Sequence, residues 1–193
     1  MDFQIMSPNE IAQQTADLLG NGCVLIDLET TGLDDNPAVE VVEVAIIDQR
    51  DATLLNVLVK PQQPIPPEAA AVHGIRDSDV SLSDTFPLLY PKIAELLNGR
   101  VVVAYNYTFE LNVLRAVCRR HNLPEIQPQS WWCAMRAYTA FRQRARYARL
   151  GQACQAEGVP VINAHRAAAD CHMTLYLMQK MAAEARPTQQ SLF

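Results

Sequence analysis

Two carboxylates, Asp27 and Glu29, stand two positions apart inside LIDLETTGL (residues 25–33), a run that otherwise reads as a buried strand. Burying ionised carboxylates is costly unless something compensates the charge. Strand side chains alternate faces, so both acids point the same way. Paired carboxylates on one face suit a hard divalent cation such as Mg2+, which prefers oxygen ligands. A strand end where both acids simply reach water would leave the same trace. Thr30, Thr31 and Gly32 follow at once, with hydroxyls, backbone N–H groups and a residue without a side chain. Such a turn suits close approach of a sugar or phosphate. Far downstream, HRAAAD (165–170) places His165 five residues before Asp170. A histidine in the loop before a helix can swing over a metal site that Asp170 helps to build.

The elements that must hold these residues follow from pattern. Ser7-Pro8-Asn9-Glu10 combines an N-cap serine, a proline at the first helical position and a glutamate at the third. It predicts a helix over about residues 7–20, ended by Gly20-Asn21-Gly22. Cys23–Leu28, Val39–Asp48 and Thr53–Val59 are apolar runs rich in β-branched residues, and read as three consecutive antiparallel strands. KPQQPIPP (60–67) is a loop leading into the short AAAVHGI segment (69–75). Thr85–Leu97 is helical, Val101–Tyr105 a buried strand and Thr108–His121 an amphipathic helix. Further helices are expected near Trp131–Arg144, Arg149–Glu157 and Ala167–Ala185. A meander followed by alternating strands and helices implies an α/β domain with a mixed sheet.

Composition bounds the function. With 193 residues, 49% of them hydrophobic, the chain fits one domain with a real core rather than a disordered segment. The N-terminus lacks a basic stretch followed by an apolar run, and no segment approaches the roughly 20 apolar residues that span a bilayer. A soluble, cytoplasmic protein without a membrane partner is expected. Cys23, Cys118, Cys133, Cys154 and Cys171 form no CxxC pair, so they read as small apolar residues rather than as zinc ligands or a disulfide framework. Charge is unevenly spread: residues 1–110 hold 17 Asp/Glu against 5 Lys/Arg, and residues 111–193 hold 4 against 11. That asymmetry fits a polyanionic partner and solvated helix faces equally well.

Taken in order, DLETTG (27–32), VHGI (72–75), YNYTFE (105–110) and HRAAAD (165–170) resemble the motifs of the DEDDh, or DnaQ-like, 3′–5′ exonucleases, of the proofreading-subunit and exonuclease X type. The likeness covers about residues 22–180. It implies a ribonuclease H-like α/β fold: a mixed five-stranded sheet, its first three strands an antiparallel meander, flanked by helices. Residues 1–185 would form a single exonuclease domain carrying the extra N-terminal helix. The implied activity is metal-dependent 3′–5′ hydrolysis of phosphodiesters at DNA 3′ ends, in proofreading or repair. Two divalent ions, Mg2+ with Mn2+ as a substitute, would be held by Asp27, Glu29, Glu110 and Asp170, with His165 as general base. Thr30 and Thr31 would lie at the 3′-terminal nucleotide, His73 would shape the groove, and Asn106 and Phe109 would help to position the end. The family's second motif usually closes with aspartate, and Glu110 adds a methylene that moves the carboxylate by roughly a bond length.

With a nucleic acid implied, Arg142 and Arg146 in the arginine-rich 136–149 segment become candidates for backbone phosphates. The chain closes with QQSLF (189–193), which resembles the pentapeptide by which bacterial polymerases bind the sliding clamp. In a tail over 186–193, Leu192 and Phe193 would enter an apolar pocket while Gln189 bonds at its edge. The same motifs would also serve an RNA 3′-end trimming nuclease, or a catalytically weakened module that binds clamp or polymerase.

Overall fold

The computed structural model describes residues 6–186, so Gln189, Leu192 and Phe193 lie outside the described residues. Strands β1 (Val24–Thr30), β2 (Val41–Asp48), β3 (Thr53–Leu58), β4 (Val101–Ala104) and β5 (Ser130–Cys133) form one sheet in the order β3-β2-β1-β4-β5. The first three pair antiparallel, and β4 and β5 extend the sheet in parallel. The helices are α1 (Pro8–Asn21), α2 (Pro67–His73), α3 (Asp77–Val80), α4 (Phe86–Leu97), α5 (Tyr107–Arg120), α6 (Ala134–Phe141), α7 (Leu150–Ala156) and α8 (Ala167–Ala182).

Alternation along the strands creates two layers of core. Leu25, Ala45, Ile47, Val103 and Trp132 pack under α1, α6 and α8, through Ile11, Ala137 and Leu175 among others. Val24, Ile26, Leu28, Ile46 and Val102 pack under α4 and α5, against Ile93, Leu97, Val113 and Val117. Helices on both faces explain why β1 and β2 are apolar at nearly every position. Helix α1 starts as its sequence dictates. The Ser7 hydroxyl accepts from the Glu10 N–H at 3.3 Å, and the Ser7 N–H donates to the Glu10 carboxylate at 2.7 Å.

Several boundaries differ from the sequence expectation, and the short helix α3 has no counterpart in it. Trp131 opens no helix: it belongs to β5, and α6 begins only at Ala134. Trp131 joins the α4–α5 layer while Trp132 joins the α8 layer, a two-faced placement that a strand gives to adjacent residues. Residues Ala69–His73 of the AAAVHGI segment lie in α2, which opens at Pro67 and is capped by Gly74 at φ 75, a left-handed conformation that glycine adopts freely. Strand β1 continues past Leu28 to Thr30, which carries Glu29 into the sheet, and β2 starts at Val41. All five cysteines are buried and unpaired. Among the described residues no helix is long and apolar enough to cross a membrane.

The C-terminal ends of β1, β4 and β5 share one edge of the sheet with the start of β2. In parallel sheets covered by helices, ligands bind at that edge.

Candidate active site

On β1 the face that begins with apolar Leu25 continues with Asp27 and Glu29, so the acids sit where the α8 layer reaches the sheet edge. Asp170 comes from the first turn of α8. Asp27, Glu29 and Asp170 each offer a carboxylate oxygen, all within 4.8 Å of one another. Glu110, from the first turn of α5, is not one of these three, though its charge acts on Asp27; it is buried, and its Oε2 meets no donor.

Crowding of acids shows in their proton affinities. Burial, and then the charges of Glu110, Asp170, Glu29 and Glu43, hold Asp27 well above the usual carboxylate range. Glu29 is pushed up to about 8 by burial, with Asp170 and Glu43 adding and Arg166 opposing. Glu110 rises to about 8, mainly through burial, with Asp34 and Glu29 adding to the effect. Asp170 rises to about 6 through burial, tempered by the backbone N–H and the charge of His165. An oxygen-only cluster that resists ionisation, with one buried oxygen left without a donor, fits a hard divalent cation.

Around the acids the residues divide. His165 is exposed, adopts a left-handed φ of 66, and donates its N–H to Asp170 Oδ1 at 3.4 Å. His73 is buried; its Nδ1 accepts from the Ile75 N–H at 3.0 Å, and its Nε2 lies near the Thr30 backbone without closing a hydrogen bond. The Thr-Thr-Gly turn spends its polar groups on itself. The Thr30 hydroxyl donates to the Gly32 carbonyl at 2.6 Å, while Thr31 pairs its N–H and its hydroxyl with the Glu40 backbone. Fewer free donors therefore face a ligand than the sequence suggested. Asn106 is the N-cap residue of α5 and makes no side-chain cap bond. Phe109 packs partly buried against the α4–α5 layer.

Arg142 does not reach this site. Its guanidinium grips Glu157 with Nε at 2.8 Å and Nη2 at 2.6 Å, and also binds Glu184. Glu184 follows the last turn of α8, about 20 Å along the axis from Asp170. Two acids distant in the chain share this arginine, a pairing its sequence position does not reveal. Arg146 is exposed, with Arg144 and Arg149, in the loop before α7. That loop is tied to the site edge, where the Tyr105 hydroxyl donates to the Ala148 carbonyl at 2.7 Å.

Two residues of the site went unnoticed in the sequence, Glu43 and Arg166. Arg166 binds the Glu43 carboxylate at 2.6 and 3.1 Å. The available signal was an acid in the middle of VVEVAIID, since charged residues are almost never fully buried without a partner.

Comparisons with known proteins place the chain in a family. The exonuclease family RNase_T matches residues 24–178. The chain is 34% identical over 184 residues to the uncharacterized exonuclease CP81 of Escherichia phage 186, covering 89% of this chain and 94% of that protein. To exodeoxyribonuclease 10 of Escherichia coli K12 it is 28% identical over 162 residues, 80% of this chain and 66% of that one. Exonuclease X, solved in complex with 5′ overhanging duplex DNA, superimposes with a TM-score of 0.62 at 26% identity, covering 87% of this chain and 96% of that one. The chain belongs to the DnaQ-like, DEDDh exonuclease family, with its ribonuclease H-like fold.

Proposed function

We propose that this exonuclease removes nucleotides from DNA 3′ ends by metal-dependent phosphodiester hydrolysis. The observation that carries the reading is the convergence of Asp27, Glu29 and Asp170 within 4.8 Å, beside a Glu110 oxygen buried without a donor. These four acids would hold two divalent cations, Mg2+ or Mn2+, which supply Lewis acidity to the phosphodiester and its attacking water. His165, exposed beside Asp170, accepts the water's proton at an unprotonated ring nitrogen. The new bond joins the water oxygen to phosphorus, the bond from phosphorus to the 3′ oxygen breaks, and that oxygen takes a proton from solvent to become the new 3′ hydroxyl while the released nucleotide keeps the phosphate.

Arg146 and its neighbours Arg144 and Arg149 line the approach and neutralise phosphates without reading bases. Thr30, Thr31, His73 and Asn106 shape the seat of the 3′ end. Likeness to an exodeoxyribonuclease and to a duplex-DNA complex favours DNA over RNA. Helix α1 lies outside the matched segment yet packs on α8, which supports reading residues 1–185 as one exonuclease domain. The QQSLF end supports a sliding-clamp partner.

The test is an incubation of 5′-labelled single-stranded DNA, 3′-mismatched duplex and RNA with Mg2+ or with EDTA, using Asp27→Ala as control. The expected result is stepwise 3′ shortening of DNA that requires both metal and Asp27. No such shortening of any substrate would sink the reading, and shortening of RNA alone would replace DNA as the substrate. Co-elution with a bacterial sliding clamp, abolished by deleting Ser191–Phe193, checks the partner.

A further inference from the structure

We propose that Glu43 and Arg166 are a positioning pair, which sets Asp170 and His165 against the β1 carboxylates; this rests on the metal-dependent reading above. Glu43 stands directly opposite Glu29 in the β1–β2 pairing, and both are buried. Like charges so opposed destabilise a strand pair unless something separates their roles. Glu43 does not join the three acids that converge within 4.8 Å. Its two oxygens are filled from the start of α8 instead. Arg166 Nη2 donates to Oε1 at 2.6 Å and Arg166 Nε to Oε2 at 3.1 Å, while the Ala167 N–H donates to Oε2 at 3.0 Å.

A planar fork combined with a backbone donor one residue on fixes both the rotation and the advance of α8 relative to β2. The carboxylate also meets a helix N-terminus, where unpaired N–H groups favour negative charge. The residues on either side of this anchor are those assigned to the chemistry. Asp170 lies one turn further, its N–H bonded to the Arg166 carbonyl at 3.0 Å. His165 immediately precedes Arg166 and sits at φ 66, a conformation that persists only where its surroundings impose it. Its N–H closes back on Asp170 Oδ1. Without the fork, β2 would hold the start of α8 only through the Ala167 N–H, the Cys171 thiol on the Ala45 carbonyl and apolar packing, and the distance of Asp170 from Asp27 and Glu29 would loosen.

The experiment uses the full chain with Glu43→Gln, Arg166→Lys and the double change Glu43→Gln/Arg166→Met, which leaves no charge buried alone. Mn2+ binding is followed by electron paramagnetic resonance without nucleic acid, beside kcat and KM on a single-stranded oligonucleotide and circular dichroism for fold. Glu43→Gln and the double variant are expected to bind Mn2+ about 10–100-fold more weakly and to lose kcat by a similar factor, with KM within about twofold. Arg166→Lys, which keeps the charge and loses one arm of the fork, is expected between these and the parent. A folded double variant with parental Mn2+ affinity overturns the proposal. Unfolding of the double variant overturns it as well, because the pair would then be holding the fold rather than the site. A parent chain whose Mn2+ affinity depends on this pair yet shortens no nucleic acid would sink the exonuclease reading while leaving the pair standing.

Discussion

Asp27, Glu29, Glu110 and Asp170 create a conflict that a cation resolves. Each has a proton affinity raised by burial and by its acidic neighbours, Glu29 and Glu110 to about 8 and Asp170 to about 6. Without metal, the folded chain therefore holds protons that the unfolded chain, whose carboxyl groups titrate near about 4, has released. A group whose folded value lies above its unfolded one contributes full stability below the unfolded value, and loses it as pH climbs through the folded value. In EDTA the melting temperature should thus fall by several degrees between about pH 5 and pH 8. Excess Mg2+ or Mn2+ should remove most of that fall by binding the ionised form. Differential scanning fluorimetry across this range checks both statements, and a flat profile in EDTA would show that the acids ionise freely.

At the scale of elements, the capped start of α1 is the clearest agreement between sequence and structure. Ser7→Ala removes one half of the capping box and should cost about 1 kcal/mol, or about 3 °C in Tm for a chain of this size. The Asn9 side chain ties α1 to Arg186, at the far end of α8 from Asp170. Turnover should therefore be unchanged, as a parallel Tm and activity measurement would report. Element boundaries were legible where a cap or a clear period marks them, as with the Ser7 cap and the Thr85 start of α4, though the Pro67 start of α2 falls inside a run that reads as loop. The Trp131-Trp132 pair carries no such signal. Its strand character comes from pairing with β4, where Val102 faces Trp131 and Val103 faces Trp132.

Across the whole molecule, charge sorts by what each arginine finds nearby. Arg142 is held by Glu157 and Glu184, whereas Arg146 is exposed in a loop anchored at the site edge. Arg146→Ala should raise KM for oligonucleotide and reduce the slope of binding against log salt by about 1, with Tm unchanged. Arg142→Ala should do the reverse, lowering Tm through a half-buried Glu157 left with a single partner, while KM stays put. Steady-state kinetics at several salt concentrations, paired with thermal melts, separates the two. A KM effect from Arg142→Ala would place that side chain on the substrate path after all.

By itself, the sequence determined the order of the sheet's first three strands, the shared face of Asp27 and Glu29, and the family motifs, because alternation, caps and spacing are local. It also marked Glu110 as the acid that departs from the family pattern, and the structure leaves that carboxylate with a buried oxygen facing no donor. Only the tertiary structure decided which charges meet. Glu43 lies 123 residues from Arg166 in the chain, and Arg142 lies 42 from Glu184. No local pattern announces either pair, since each exists only because the sheet and α8 bring distant segments into register. That long-range register fixes which acids remain free for a cation and which are already bound by an arginine.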